Sequence, residues 1–325
     1  MINLEKSINL IKSLFPENKI KSVNERGYWV KEKSDLWNGK YVIYFTLNNN
    51  KRYCIKFGEL KDAEDFKAEI GVINIFLKNN IPAPKIIKTD FTLDKINCIF
   101  YIVEYLEGIK LSTLWLQSDR EEKNQVYNTL GKLFNRIHSI HSENSGLISG
   151  EDPYKVRYLG VFPTEYMFNA EIVNGSGKKA LEEGYLSKEN YEAVIKTWEQ
   201  NMSYLKDHQP TLIHYSSFCW TISFLKEESE WYISKLTGLG DVLWWDPVCN
   251  LALIKYPPFM KIDNLNWKSF LKGYQNQVDE KKVAIYALLI KISAAMGTYY
   301  EPDYLSNNYI KENLNKDIKY LLDNI

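Results

Sequence analysis

Hydrophobic and polar positions alternate along the chain with two different periods, and the change from one to the other marks its organisation. Residues 41–47, Tyr-Val-Ile-Tyr-Phe-Thr-Leu, and 53–57, Tyr-Cys-Ile-Lys-Phe, flank an Asn48-Asn49-Asn50 turn and predict a hairpin. Phe66, Ile70, Ile73, Phe76 and Leu77 recur at helical steps, predicting one amphipathic helix over 62–80 that stops at Ile81-Pro82-Ala83-Pro84. Strands are predicted again near 85–89 and 98–104. Beyond residue 110 the helical period dominates, with Val126, Leu130, Leu133, Phe134 and Ile137 on one face and Tyr191, Val194, Trp198, Met202 and Leu205 on another. Short strands at 212–214, 221–225 and 231–236, turning at Lys226 to Glu230, interrupt those helices. The stretch from Val283 to Met296 is nearly all apolar, yet it is shorter than the roughly 20 residues of a spanning helix and contains Lys291. It predicts a buried core helix.

These elements give an α+β chain of two lobes. A small lobe over 1–107 holds an antiparallel sheet with one helix, and a large, mostly helical lobe spans 108–325. The N-terminal stretch, Met-Ile-Asn-Leu-Glu-Lys-Ser, alternates charge with apolar residues at helical spacing, unlike a signal peptide, and predicts a cytoplasmic protein. Lys plus Arg and Asp plus Glu both total 41, so no global field draws the chain to nucleic acid or to an anionic membrane. Small molecules or proteins are the expected partners. Cys54, Cys98, Cys219 and Cys249 lie far apart in apolar settings and predict reduced, buried thiols.

Several short signatures together resemble the aminoglycoside phosphotransferase and choline kinase families, distant relatives of the protein kinases. Lys56 ends a strand where the resemblance places a nucleotide-phosphate lysine, and Glu69, thirteen residues later on the following helix, matches its ion-pair partner. Phe100 to Gly108 resembles the segment between lobes, whose Glu104, Tyr105 and Leu106 backbone would meet the base of ATP or another nucleotide. Gly27-Tyr28-Trp29 to Asn38-Gly39-Lys40 stands where the phosphate-covering hairpin would be, without a glycine-rich run.

The catalytic segment departs from the family pattern. Leu212 to Ile222 aligns to its His-Gly-Asp stretch, which keeps His214 but puts Ser216 at the position of the catalytic Asp and Thr221 at that of the metal-binding Asn. A serine hydroxyl has no basicity near neutral pH; losing a positioned base removes roughly 100- to 10,000-fold in rate. In the gapless register Gly238 replaces the metal-binding Asp, eight residues before Asp246-Pro247; a second register, with three residues deleted, would make Asp241 the metal ligand. Asn250 replaces an Asp expected to order the catalytic loop from behind. His214 is expected to brace the loop, while His138 and His141 read as packing or surface residues.

Two functions are therefore expected from the resemblance. One is a catalytically impaired pseudokinase, a binding or scaffolding module with a small molecule in the inter-lobe cleft or a protein partner, its cleft possessing either Lys56 and the Glu104 to Leu106 backbone or a wall rebuilt from Tyr215, Phe218, Trp220, Trp244 and Trp245. The other is an active ATP-dependent phosphotransferase for a small alcohol, using magnesium through Asp241 and Asp246. Glu151, Glu165, Glu171 and Glu182 are acidic candidates for substrate contacts in the second case.

Overall fold

The chain opens with helix α1 (Leu4–Leu14), which starts where the Asn3 side chain accepts a hydrogen bond from the Lys6 amide, as a side-chain N-cap does. The computed structural model describes residues 3–26, 41–158, 163–215, 221–257, 262–296 and 307–325. Chain contacts divide it into two compact units. The first takes residues 1–108 together with the returning segments 149–153 and 234–240, and the second takes the remainder.

In the first unit, strands β1 (Ile20–Arg26), β2 (Tyr41–Leu47), β3 (Arg52–Gly58), β4 (Ile86–Asp90) and β5 (Ile99–Glu104) form, among the described residues, a five-stranded antiparallel sheet of order β1-β2-β3-β5-β4. The period-two alternation assigns the faces. Ile43, Phe45, Ile55, Phe57, Phe100 and Ile102 join Leu10 and Ile11 of α1 in one buried cluster. Lys56 pairs with Tyr101 across β3 and β5, so both point to the opposite face. That face receives helix α2 (Ala63–Lys78), whose Phe66 meets Tyr101 edge to face. Asn50 turns the β2–β3 hairpin with φ 61°, a left-handed conformation that asparagine tolerates.

Strand β1 was not expected, because Ile-Lys-Ser-Val-Asn-Glu-Arg carries too few apolar residues to show a period; at the sheet edge it needs only one partner. The expected hairpin at 27–40 lies outside the described residues.

The second unit starts with β6 (Ile109–Lys110) and helices α3 (Leu111–Gln117) and α4 (Arg120–Ile137), then β7 (Gly146–Leu147). After α5 (Pro163–Met167) comes one π-helical turn, Phe168–Val173, followed by α6 (Ser176–Glu182) and α7 (Lys188–Lys206). Next are β8 (Thr211–His214), β9 (Ile222–Glu227), β10 (Glu230–Leu236), whose last residues belong to the first unit, and β11 (Val242–Trp245). The chain ends with α8 (Pro247–Lys255), α9 (Asn264–Tyr274), α10 (Glu280–Met296) and α11 (Asn307–Leu322). Two small sheets, of order β10-β9-β6 and β7-β11-β8, interrupt the helices.

Helix α10 is the predicted core helix: it is buried along nearly its whole length, and its Lys291 reaches Asp317 of α11 at 3.1 Å. Local sequence sets several helix starts. Asp119, Ser187, Asp246 and Asp263 each accept an amide hydrogen bond as N-caps, and Pro247 follows Asp246 at the first helical position.

Helices α4 and α9 cross at two glycines. A Cβ at Gly131 would sit 2.1 Å from the Phe270 carbonyl oxygen, and one at Gly273 would sit 2.1 Å from that of Asn128. Backbone on backbone leaves no flexible group to give way. Gly131→Ala should therefore destabilise the protein by about 1–3 kcal/mol, as overpacking does. Urea unfolding measures this, and an unchanged midpoint would show that the two helices have room to separate.

Candidate functional site

The first unit encloses a cavity of about 260 Å³ whose lining joins three parts of the sequence: β2, β3 and α2, the segment after β5, and residues 235–239. At its wall the Lys56 ammonium bonds the Glu69 carboxylate at 2.5 Å. Lys56 is partly exposed and Glu69 almost fully buried. A lysine on a strand and a glutamate on the helix packed across it hold each other with little side-chain freedom left. Tyr101, buried beside them, hydrogen-bonds Glu69, and burial followed by that carboxylate's charge raises the phenol well above its ordinary pKa. Its hydroxyl therefore stays protonated. Cys54 lines the same wall, and burial pushes its thiol up to about 12, so it is an inert packing group there. Cys98 and Cys249 are buried as expected; Cys219 lies outside the described residues.

The segment after β5 forms a second wall. The Glu104 amide donates to the Lys85 carbonyl and the Tyr105 amide to the Arg52 carbonyl, both at 2.9 Å, so the sheet consumes these two donors. The Leu106 carbonyl accepts from the Lys235 ammonium at 2.6 Å. Tyr105 is fixed by Tyr44 at its edge, with the Arg52 guanidinium 4.1 Å and the Lys235 ammonium 4.8 Å from its ring centroid. Arg52 in turn pairs with Glu107. Lys235 and Tyr101 escaped the sequence reading. No period marks either residue, because β5 is buried from Ile99 through Val103 and β10 does not alternate cleanly.

The third wall is the end of β10. The Leu236 amide donates to the Pro82 carbonyl at 3.1 Å, after which Thr237, Gly238 and Leu239 line the cavity. Gly238 takes φ 70°. A Cβ at Gly240 would lie 3.7 Å from Glu69 Oε2, placing this turn beside the ion pair.

The second unit holds the rest of the expected segment. In β8, which pairs with β11, His214 is buried, and Asn250 grips its backbone from both sides. Asn250 Oδ1 accepts from the His214 amide at 3.1 Å, and its Nδ2 donates to the His214 carbonyl at 2.7 Å. Those two bonds fix the amide orientation, so His138 Nε2, at 3.2 Å, must carry the proton that Oδ1 accepts. Tyr274 then donates its hydroxyl proton to His138 Nδ1 at 2.9 Å. Burial lowers His138 to about 4, partly opposed by the Asn250 bond. Ser216 lies outside the described residues, as do Phe218 and Trp220, while Thr221 directly precedes β9.

Asp241 belongs to this second unit, and its carbonyl accepts from the Tyr215 amide at 3.3 Å. Asp246 is buried: it caps α8 through the Val248 amide, takes the Tyr286 hydroxyl at 3.3 Å, and lies 3.4 Å from the Lys282 ammonium. Trp244 and Trp245 are fully buried, with the Trp245 indole donating to Thr164 at 2.7 Å, so they fill the core and build no ligand wall. Three of the four acidic candidates are engaged too. Glu165 pairs with Lys206, Glu171 accepts from Ser176 and Ser293, and Glu182 pairs with Lys178; Glu151 is exposed in the first unit.

The model of the phosphotransferase enzyme family matches residues 39–221, more than half of the chain. The chain belongs to that family. Solved family structures agree in fold along nearly the full length. The GDP complex of wild-type aminoglycoside 2'-phosphotransferase-IIIa superposes with a TM-score of 0.64 at 14% identity, covering 99% of both chains. A thermostable mutant of aminoglycoside phosphotransferase APH(4)-Ia in its apo form gives 0.62 at 12% identity, covering 97% of this chain and 98% of that one. The same enzyme family is represented by a ternary complex of a thermostable APH(4)-Ia mutant with AMP-PNP and hygromycin B, at 0.60 and 12% identity, covering 98% of each. At such identities the likeness establishes the kinase-like fold. No curated protein matches the sequence. No helix among the described residues is long and apolar enough to cross a membrane.

The buried His138 has a consequence for stability. Its folded pKa, about 4, lies below the ordinary 6.5, so between those values the unfolded chain binds more protons than the folded one. The contribution is present above pH 6.5 and is lost as pH falls towards 4, on the order of 3 kcal/mol in all. Urea unfolding across that range should show a steeper loss in the wild type than in His138→Gln. Parallel profiles would mean that His138 takes up its proton as readily in the folded protein as in the unfolded one.

Proposed function

We propose that this member of the phosphotransferase family binds a nucleotide in the first-unit cavity but has lost phosphoryl transfer, acting as a pseudokinase whose bound small molecule or protein partner is its output. The observation that carries the reading is one wall of that cavity. The Lys56–Glu69 pair stands ready for phosphate, while the turn beside it offers Gly238, which has no side chain, where the gapless register expects a metal-binding carboxylate. Among the described residues, the carboxylates lining the cavity are Glu69 and Glu104, and the first is held by Lys56. This donor set does not suit magnesium, which needs oxygen ligands in near-octahedral array. Ser216 and Thr221 extend the same loss along the sequence, removing the base and the amide ligand. Nucleotides named in solved family structures, GDP and AMP-PNP, support the ligand class.

A second reading, an active small-alcohol kinase with Asp241 as metal ligand, draws on the intact Lys56–Glu69 pair. Its other proposed ligand, Asp246, is already engaged by Lys282, Tyr286 and the α8 amide, which weakens it. In a preparation shown to be active, unchanged turnover by Asp241→Asn would remove it.

Calorimetric titration should give the same ADP affinity with and without magnesium, and no phosphoryl transfer from ATP to kanamycin or choline. Magnesium-dependent turnover would overturn the proposal. Gly238 already has the left-handed backbone that aspartate tolerates, so Gly238→Asp should fold. It should also make ADP affinity rise with magnesium, on the order of tenfold for one added charge-assisted contact. If magnesium leaves the variant unaffected, position 238 is not where the lost ligand stood.

A further inference from the structure

Lys235 lies at the edge of the cavity where a nucleotide base would meet backbone groups. Its ammonium bonds the Leu106 carbonyl at 2.6 Å and sits 4.8 Å from the centroid of the Tyr105 ring. Two further polar groups of that edge, the Glu104 and Tyr105 amides, are committed to the Lys85 and Arg52 carbonyls. A bare peptide edge offers both acceptors and donors to a base. Here an ammonium, which has three donor hydrogens and no lone pair, covers one of those acceptors, the Leu106 carbonyl. Resting on the proposal that the cavity takes a nucleotide, we infer that Lys235 makes it select a purine bearing a 6-oxo group, as in guanine, over one bearing a 6-amino group, as in adenine.

The chemistry is a difference of two interactions at one point. A carbonyl oxygen on the base accepts a charge-assisted hydrogen bond from the ammonium, whereas an amino group sets two donors against each other and loses the Leu106 carbonyl to Lys235. Retreat of Lys235 would restore the acceptor for adenine but would leave the ammonium without this carbonyl and move it off the Tyr105 ring. Near this edge Tyr44, Val103 and Tyr105 are apolar or aromatic and stack either base, while Glu104, which also lines the cavity, can accept from the amino group of either base. Discrimination at the 6-position is therefore assigned to one cationic side chain.

The test is calorimetric titration of GDP and ADP, both without magnesium, into the full-length wild type and Lys235→Met, which keeps an unbranched side chain and removes the charge. The wild type should bind GDP more tightly than ADP by on the order of tenfold or more, the worth of one hydrogen bond to a charged group. Lys235→Met should bring the two affinities together, by weakening GDP and strengthening ADP. Lys235→Arg, which keeps the cation, should keep the sign of the preference and guards against a variant that merely misfolds. Equal wild-type affinities, or a preference unchanged in Lys235→Met, would overturn the role of Lys235 while leaving the nucleotide cavity intact. Binding of neither nucleotide by any of the three proteins would overturn the cavity assignment itself, and this inference with it.

Discussion

The ion pair between Lys56 and Glu69 is the constraint around which the first unit is organised. An ammonium and a carboxylate at 2.5 Å, with the acid almost fully buried, are tolerable only when geometry and further hydrogen bonds offset the loss of water. The sheet meets that demand by alternation. Residues on one face of β3 and β5 bury against α1, which frees the other face for Lys56, Tyr101 and Cys54 beneath α2. Tyr101 gives Glu69 a second donor, and the turn at Gly238 closes beside it. A charged group is thereby held rigidly at a cavity wall, the arrangement a polyanionic ligand needs.

The second unit turns similar polar chemistry inward. Asp246 caps a helix and is bonded by Tyr286 near Lys282, while Asn250 holds the His214 backbone with both ends of its amide. His138 stays neutral because it is buried and has a donor on one nitrogen and an acceptor on the other. An asparagine suits this place better than an aspartate would: it supplies the donor that the His214 carbonyl requires and carries no charge to desolvate. Asn250 thus braces the His214 backbone, whereas on the proposed reading Ser216, Thr221 and Gly238 lack the groups that phosphoryl transfer would use. That contrast between a kept frame and altered chemistry is what the proposed pseudokinase role would require.

The elements with strong periods were readable from the residues alone. Hydrophobic alternation in β2, β3 and β5, the apolar stripe of α2 and the apolar run of α10 each name a face before any fold is known. Strand β1 was not readable, because an edge strand satisfies itself through backbone bonds to one neighbour and leaves little trace in side-chain chemistry. Trp244 and Trp245 were ambiguous for a related reason. Indoles serve cores and ligand walls equally well, and only burial on every side, with Thr164 taking one N–H, decides for the core.

The sequence by itself determined the family, the spacing of Lys56 and Glu69, and that a serine, a threonine and a glycine stand at 216, 221 and 238, since these follow from which residues stand in which order. Tertiary structure alone decided that Lys235 covers the Leu106 carbonyl, that Asp246 spends its carboxylate on Lys282 and Tyr286, and that His138, Asn250 and His214 form one chain of hydrogen bonds. Such contacts join positions between 36 and 129 residues apart. No local period encodes them; they arise only when separate strands and helices bring polar groups into a space without water, where each must find a partner.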